Sequence, residues 1–329
     1  MPYTTYDDDL LLYQIAKMYY IDNLSQDAIA KEVGFSRSYV SRLLDKAKER
    51  RIVTFVVTNP LDRSVRELEE RLCAVYNLKF AAVAESTAKE FQRAQFHPMN
   101  ELLAVKASAV LPAFLVHSKV VAVGFGSALY TTSKTLNPAR LDNDVLFIPA
   151  LGTTNSSTPQ TQCNIIVDNF SSAFGARRYF TNVPIVLDQP EAESKLFPSR
   201  YGELVQHWND ADTVIVGLGV RYHETTDSFS LNEASEEYRS TVAAEHSVGD
   251  ILTRYFRADG SEIELDSTYV RAAISLERLS AIDRVLCIAG GPEKVHGIRT
   301  AIKSGYVNCL LTDMITACKL IELEEDSLQ

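Results

Sequence analysis

The spacing of apolar residues predicts three helices in the first part of the chain. Leu10, Leu11, Ile15, Met18 and Tyr19 recur at helical intervals after an acidic start that suits a helix N-terminus. Two shorter helical patterns follow within residues 26–44, separated by a glycine. Residues 52–58 are rich in β-branched side chains and precede Asn-Pro, which predicts a strand that closes this small unit.

Residues 26–44 have the spacing of a helix-turn-helix. Ala28, Ile29 and Val33 give its first helix an apolar face, and Ala30 is small enough for a second helix to cross closely. Gly34 stands where the first helix must end, because that position favours positive φ and therefore glycine. An ordinary helical hairpin with a solvated charged face is the alternative interpretation.

The second helix of the motif is predicted to carry a free polar face. Phe35 is expected to plug the turn, while Val40, Leu43 and Leu44 point into the core. Arginine can pair with guanine edges, and serine, tyrosine and lysine can bind phosphates or bases. The predicted DNA-binding residues, including a serine N-cap, are Gln26, Ser36, Arg37, Ser38, Tyr39, Ser41, Arg42 and Lys46.

From residue 79 onward, strand-like runs alternate with helical ones, as in a parallel sheet that helices cover on both faces. The predicted strands are 80–84, 120–124, 145–150, 183–187, 213–217, 285–289 and 307–311. The predicted helices include 100–117, 164–174, 191–209, 267–279 and 293–303. The fold class is therefore α/β, with an N-terminal helix-turn-helix domain and a larger Rossmann-like doubly wound parallel sheet.

We expect a DNA-binding domain at 1–59, a linker helix at 60–78, and an effector-binding and oligomerisation domain at 79–329. The apolar residues of the linker alternate spacings of four and three, at Leu61, Val65, Leu68, Leu72 and Val75. This pattern suits either a short dimerising coiled coil or a connecting helix packed on its own body.

Glycine and polar residues follow the predicted strands. In an open parallel sheet these carboxyl ends lie along one edge, where ligands bind. Backbone N–H groups at a following helix N-terminus suit an anion, although each such loop taken alone can equally be a tight turn. The effector-binding residues expected at this edge are Gly124, Gly126, Ser127, Gly152, Thr153, Thr154, Gly217, Gly219, Asp250, Gly290, Gly291, Lys294 and Asp313.

The charge of the chain is unevenly distributed. Its 329 residues include 33 basic and 43 acidic side chains, for a net charge of −10. Residues 36–51 contain six basic and two acidic side chains. An acidic protein with one basic helix is expected to meet nucleic acid only through that helix.

Composition narrows the class of protein further. The sequence has no apolar run long enough to span a bilayer and no signal-like N-terminus, so we expect a cytoplasmic protein without a membrane partner. The five cysteines lie far apart and the six histidines lack ligand spacing, so we expect neither metal nor cofactor. No nucleophile elbow of the Gly-x-Ser-x-Gly type occurs, and we predict no catalytic residues.

With these motifs assembled, the chain resembles the SorC family of bacterial sugar-responsive transcriptional regulators along nearly its full length. The residues that carry the resemblance are 25–30, 40–44, 123–126, 211–212, 217–219, 247–251, 289–291, Lys294 and 310–313. The resemblance implies an effector domain similar to glucosamine-6-phosphate isomerase and ribose-5-phosphate isomerase, without their activity, that binds a sugar or sugar phosphate. It also implies a dimer or tetramer whose affinity for operator DNA changes with effector.

The same resemblance assigns roles to residues of the effector domain. Residues 152–154 and Lys294 look like phosphate or sugar contacts, and Asp250 and Asp313 look like pocket residues. Residues 162–164 read Gln-Cys-Asn where relatives often show His-Ala-Asn, a departure that bears on the identity of the sugar.

The hypothesis from sequence is a homo-oligomeric regulator of a carbohydrate operon that binds double-stranded operator DNA, with Arg37 and Arg42 reading bases. A sugar or sugar phosphate would shift the balance between two DNA-affinity states. The rival is a sugar-phosphate isomerase or kinase carrying a DNA-binding head, with Asp250 or Asp313 as general base. A metabolic scaffold that ignores DNA is a weaker third alternative.

Overall fold

The computed structural model describes residues 5–50, 52–53, 61–85, 96–141, 144–155, 158–188, 197–220, 236–264 and 269–326. The chain divides into two units, Met1–Asp62 and Arg63–Gln329, and each is described by itself below. The first contains a helix-turn-helix and the second a parallel sheet with helices, which confirms the predicted fold class.

The N-terminal unit consists of α1 (Thr5–Tyr20), α2 (Gln26–Val33) and α3 (Arg37–Glu49). Gly34 ends α2 in the left-handed conformation, with φ +74, and its N–H donates to the carbonyl of Ala30. The core of this unit is made by residues that recur at helical spacing, namely Leu12, Ile15, Ala16, Ile29, Ala30, Val40, Leu43, Leu44 and Ala47.

Some positions in this unit differ from expectation. Leu10 and Ala28 are exposed, because the buried stripe of α1 runs through Leu12 and Ile15 and that of α2 through Ile29 and Ala30. Phe35 does not plug the turn and is 36% exposed. Residues 52–53 form a bend where a strand was predicted, and positions 54–58 of that strand lie outside the described residues.

Eleven strands occur in the described part of the larger unit. In chain order they are β1 (Phe80–Ala84), β2 (Val120–Val123), β3 (Leu146–Pro149), β4 (Arg177–Arg178), β5 (Val186–Asp188), β6 (Thr213–Val216), β7 (Gly249–Ile251), β8 (Arg254–Phe256), β9 (Tyr269–Arg271), β10 (Arg284–Ile288) and β11 (Cys309–Asp313).

The main sheet is parallel and has the order β1-β11-β10-β6-β2-β3-β4. From β2 the chain proceeds outward to β3 and β4, then returns to β6 on the other side of β2. The strand order therefore reverses between β2 and β6, which creates a crevice at their carboxyl ends. Alternate residues of one strand enter separate apolar clusters, as Val214 and Ile215 do, because both faces are covered.

The helices of this unit alternate with the strands. They are α4 (Leu61–Tyr76), α5 (Phe96–Phe114), α6 (Ser127–Thr135), α7 (Cys163–Phe174), α8 (Phe197–Asp210), α9 (Glu236–Ala244), α10 (Leu276–Ala281), α11 (Val295–Lys303) and α12 (Met314–Asp326). No helix among the described residues is both long enough and apolar enough to cross a membrane.

Two predicted elements of the larger unit are wrong. The segment 183–187 is not a strand of the parallel sheet, because its second half forms β5, which pairs antiparallel with β9. The segment 267–279 is not one helix, because β9 occupies Tyr269–Arg271 and α10 begins only after the N-cap Ser275, while residues 267–268 lie outside the described residues. The predicted helix 293–303 begins with a 3₁₀ turn, Pro292–Lys294, before α11. Residues 191–196 of the predicted helix 191–209 lie outside the described residues.

The helix α4, which the sequence assigns to a linker, packs on the larger unit. Its residues Val65, Leu72 and Tyr76 are buried in an apolar cluster of that unit. The Tyr76 hydroxyl donates to the carbonyl of Leu320 at 2.6 Å. In this chain the apolar stripe of α4 is therefore covered by its own body.

Candidate functional site

The exposed face of α3 gathers most of the predicted DNA-binding residues. Ser36 caps the helix, with its Oγ accepting from the Tyr39 N–H at 3.2 Å and lying 3.1 Å from the Ser38 Oγ. Arg37, Ser38, Tyr39 and Arg42 are exposed, while Gln26 and Ser41 are half-buried. One helix face thus presents two guanidinium groups together with several hydroxyl groups.

The two arginines of this face have different neighbours. The Arg37 Nε lies 3.7 Å from the Asp27 Oδ1, in a pair whose side chains are both largely exposed and which therefore contributes little stability. The Arg42 guanidinium lies over the ring of Tyr39, 5.4 Å from its centroid. In both cases the N–H edges remain near solvent, where a base or phosphate can meet them.

The basic residues at the end of α3 are engaged within the unit. Lys46 Nζ lies 3.4 Å from the Asp8 Oδ2, and Arg50 contacts the Asp9 Oδ1 at 2.6 Å. Lys48 pairs with Asp45 at 3.3 Å. The predicted cationic excess of this segment is thus concentrated at the start of the helix, and Lys46 faces the acidic start of α1.

In the larger unit, the crevice between β2 and β6 brings several predicted effector residues together. Gly124 ends β2 and donates its N–H to the carbonyl of Ile215 at 2.9 Å. Gly126, with φ +123, precedes the first residue of α6, Ser127. Gly217 follows β6, and Gly219 donates its N–H to the Asp250 carbonyl at 2.9 Å.

The Asp250 carboxyl group also lies directly against Gly219. A Cβ built on Gly219 would be 1.8 Å from the Asp250 Oδ1, so only glycine allows this approach. Burial raises the pKa of Asp250 to about 6, against the opposing effects of a hydrogen bond from the Thr253 N–H and of the charges on Lys294 and Arg271. Burial likewise lowers the pKa of Lys294, which is only 9% exposed.

Two arginines that the sequence analysis missed belong to the same charged cluster, which we define as Arg254, Glu262, Arg271, Asp250 and Lys294. The Glu262 Oε1 accepts from Arg254 at 2.8 Å and from Arg271 at 3.1 Å. These side chains are 14% and 5% exposed. The charged cluster therefore holds three basic side chains and one carboxyl group with little exposure to water, beside the half-buried Asp250.

The hairpin formed by β7 and β8 delivers Asp250 to the crevice. Its turn consists of Leu252 and Thr253, both with positive φ, where glycine or asparagine is the usual choice. Leu252 approaches Gly124 so closely that a Cβ there would be 2.9 Å from the Leu252 Cδ2. Sequence analysis missed this hairpin because its turn lacks those residues.

The structure gives Asp313 an internal role. Its Oδ1 accepts from the N–H groups of Ile315 and Thr316 at 3.0 and 3.1 Å, which caps the start of α12. Its Oδ2 accepts from the Gly291 N–H at 3.1 Å, and a Cβ on Gly290 would lie 2.5 Å from this oxygen. Asp313 is fully buried, so its carboxylate clamps the 290–291 loop to α12.

Residues 152–154 are also bonded within the protein. The N–H groups of Gly152 and Thr153 donate at 2.7 Å to the carbonyls of Ala272 and Val183. The Gln162 amide donates to the Thr154 Oγ1 at 3.2 Å. Since the N–H groups of Gly152 and Thr153 are already used, they are not available to hold a phosphate.

No group of histidine, cysteine, aspartate and glutamate within the described part of the chain is arranged to hold a metal ion. The described cysteines are free thiols.

Known proteins are similar to this chain over both of its units. The family model described as "Putative sugar-binding domain" matches residues 63–322. The chain is 25% identical to the sorbitol operon regulator of Klebsiella pneumoniae, over 96% of this chain and 99% of that protein. It is 26% identical to the deoxyribonucleoside regulator of Bacillus subtilis strain 168, over 94% and 97% of the two chains.

Solved structures show the same fold. The crystal structure of the full-length sorbitol operon regulator SorC from Klebsiella pneumoniae matches with a TM-score of 0.71 at 24% identity, over 96% of this chain and 99% of that one. These relatives are transcriptional regulators and not enzymes. The protein belongs to the SorC family of sugar-binding transcriptional regulators.

Proposed function

We propose that this regulator reads operator DNA with the first half of α3 and senses a sugar phosphate beside Asp250 and Lys294. Its partners in this proposal are double-stranded operator DNA, the effector and further copies of the same chain. It controls the transcription of a carbohydrate operon, by analogy with the sorbitol and erythritol regulators to which it is similar.

The observation that supports a phosphorylated effector is the group of basic side chains with low exposure beside the crevice. The charged cluster sets Arg254, Arg271 and Lys294 against Asp250 and Glu262. Glu293 also acts on Lys294, but from an exposed position. Basic side chains with little exposure to water form strong charge-assisted hydrogen bonds with a phosphate group.

The crevice offers suitable hydrogen-bonding groups around such a phosphate. We assign N–H contacts to the first turn of α6, after Gly126 and Ser127, where helix N–H groups lack intrahelical acceptors. Gly217 and Gly219 allow the sugar to approach the backbone, and Asp250 accepts from a sugar hydroxyl. Gly124, Gly152, Thr153, Thr154, Gly290, Gly291 and Asp313 support this site through their internal hydrogen bonds or packing.

On the DNA side, we assign base readout to Arg37 and Arg42 and contacts to phosphates or bases to Gln26, Ser36, Ser38, Tyr39, Ser41 and Lys46. Two N-terminal units of a homo-oligomer would read half-sites related by a dyad. The effector then regulates transcription because it binds the high-affinity and low-affinity states of the oligomer unequally.

A two-stage experiment on the full-length chain tests this proposal. Thermal-shift measurements compare sorbitol, erythritol and deoxyribose with their phosphate esters, using inorganic phosphate as the control. A ligand at 100 times its dissociation constant stabilises by about 2.7 kcal/mol, which such a scan detects. The best ligand is then added to complexes with a duplex that the chain has selected from random-sequence DNA.

We expect a phosphate ester to stabilise the protein and to change its affinity for the selected duplex. A response to free sugars alone would contradict the phosphorylated effector while keeping sugar sensing. A chain that responds to none of them, or whose DNA affinity no ligand changes, would contradict the proposed regulation.

A further inference from the structure

An exposed aromatic pair stands at the start of the recognition helix. Phe35 and Tyr39 are 36% and 37% exposed. Their ring centroids are 5.0 Å apart with an interplanar angle of 84°, so the edge of one ring meets the face of the other. Phe35 immediately precedes the N-cap Ser36 and was expected to be buried in the turn.

The aromatic pair is continuous with the polar face that we assign to DNA. The Tyr39 ring contacts that of Phe35, and the Arg42 guanidinium lies over the Tyr39 ring, 5.4 Å from its centroid. Each contact favours the observed orientation of the Tyr39 ring, beside that of Phe35. The result is a preformed apolar spot among arginine and serine side chains, at the end of the helix that enters the major groove first.

The chemistry of the major groove identifies what such a spot contacts. Base edges there present hydrogen-bond donors and acceptors, and the 5-methyl group of thymine is the apolar feature that phenylalanine can contact. The neighbouring Arg37 and Arg42 favour a polyanion over an apolar protein surface as the occupant. The aromatic pair thus matches a thymine placed next to the bases that the arginines read.

We propose that Phe35, held by Tyr39, contacts the 5-methyl group of a thymine in the operator and thereby specifies a T·A pair. This inference rests on the proposed DNA-reading function, and it adds a specificity-determining residue that is neither charged nor polar. Tyr39 acts in it mainly as a positioning residue for Phe35.

The test removes the methyl group from the DNA and the ring from the protein. The full-length chain first selects a consensus from random-sequence DNA, and each thymine of that consensus is then replaced by deoxyuridine. Wild-type protein should bind one of these duplexes about fourfold more weakly, the contribution expected for one buried methyl group. In Phe35→Ala the same replacement should have almost no effect.

Ile21→Ala is the matched control, because Ile21 is an apolar side chain of the same unit that is 70% exposed and lies outside the helix-turn-helix. It should keep the dependence on the methyl group. Tyr39→Ala is the second variant and should lose that dependence, since Phe35 loses its support. Circular dichroism of each variant verifies that the N-terminal helices persist.

The outcomes separate this inference from the function on which it rests. An equal loss on deoxyuridine substitution in wild type and Phe35→Ala would overturn the thymine contact alone, as would a consensus in which no thymine methyl group matters. A chain that selects no consensus would overturn the DNA-reading function and the thymine contact together.

Discussion

The first half of α3 and the charged cluster of the larger unit both present basic side chains, but in opposite environments. Arg37 has a side chain that is 68% exposed, whereas that of Arg271 is 5% exposed. Water and salt stabilise the exposed charges in the absence of DNA, so the recognition face persists without its partner. The charged cluster has no such support.

This difference in exposure to water determines which property of a ligand each region can discriminate. An exposed face gains its specificity mainly from geometry and hydrogen bonding at the moment of contact. A buried cluster of charged side chains discriminates by charge before shape, because desolvated ions interact strongly. We therefore expect substitutions in the two regions to differ in kind.

The largest effect should come from Asp313, whose buried carboxylate is hydrogen-bonded within the protein. Asp313→Ala leaves the N–H groups of Ile315 and Thr316 without their acceptor, while the Gly291 N–H keeps only the Thr316 Oγ1 at 2.9 Å. Urea unfolding should show a loss of roughly 3 kcal/mol. Asp283→Ala, at an exposed carboxylate that pairs with Lys79, should cost under about 1 kcal/mol. Similar losses in the two variants would disprove the clamp.

The second-largest effect is expected from Lys294→Met, which should weaken the binding of the effector. We expect about a hundredfold weaker binding of the phosphate ester that stabilises wild type, with little change in DNA affinity measured without ligand. Lys303→Met is the control, at the end of the helix that follows Lys294, since Lys303 is half exposed and pairs with Glu324. Unchanged affinity for the ester in Lys294→Met would remove this lysine from the site.

On the recognition face, Arg42→Ala should reduce discrimination between operator and random duplex by about 1–3 kcal/mol. Lys46→Ala should change that discrimination little, because Lys46 pairs with Asp8 and is assigned to the DNA backbone. Competition binding at fixed salt measures both. If the two variants lose discrimination equally, the arginine at the aromatic pair has no special part in base readout.

The last prediction concerns pH. The pKa of Asp250 is raised from 3.8 to about 6 in the folded chain, so the folded state binds this proton more tightly than the unfolded state. Its contribution to stability is therefore complete below pH 4 and declines as the pH rises to about 6. Relative to Asp250→Asn, wild type should lose a few degrees of melting temperature across that window. A constant difference would place the titration elsewhere.

Sequence predicted much of the fold because the fold depends on repeated patterns. Six of the seven predicted parallel strands match observed strands within a few residues, since strands buried on both faces are continuous apolar runs. The segment 183–187 has the same composition but pairs with β9, and composition does not encode the partner of a strand. The prediction of one helix over 267–279 is wrong because the short stretch Tyr269–Arg271 fits the spacing of a helix and that of a strand equally well.

The two candidate sites also differ in how far the sequence predicts them. The polar face of α3 is predictable because its spacing is local, and the three-helix core fixes which side is exposed. The charged cluster joins residues far apart in sequence, and nothing local marks Arg254 or Arg271 as partners of Glu262. Several of the glycines predicted at strand ends lie along the crevice, and their internal hydrogen bonds decide which of their N–H groups are open to a ligand.

The ion pairs between the start of α1 and the end of α3 reduce the number of counterions that DNA binding releases. Since Lys46 and Arg50 already face Asp8 and Asp9, they condense fewer anions from solution and release fewer cations from DNA than free lysines and arginines would. The logarithm of affinity should therefore fall with the logarithm of salt concentration less steeply than a tally of basic residues in α3 implies. A shallow slope would be the signature of a protein that holds operators mainly by shape and base edges.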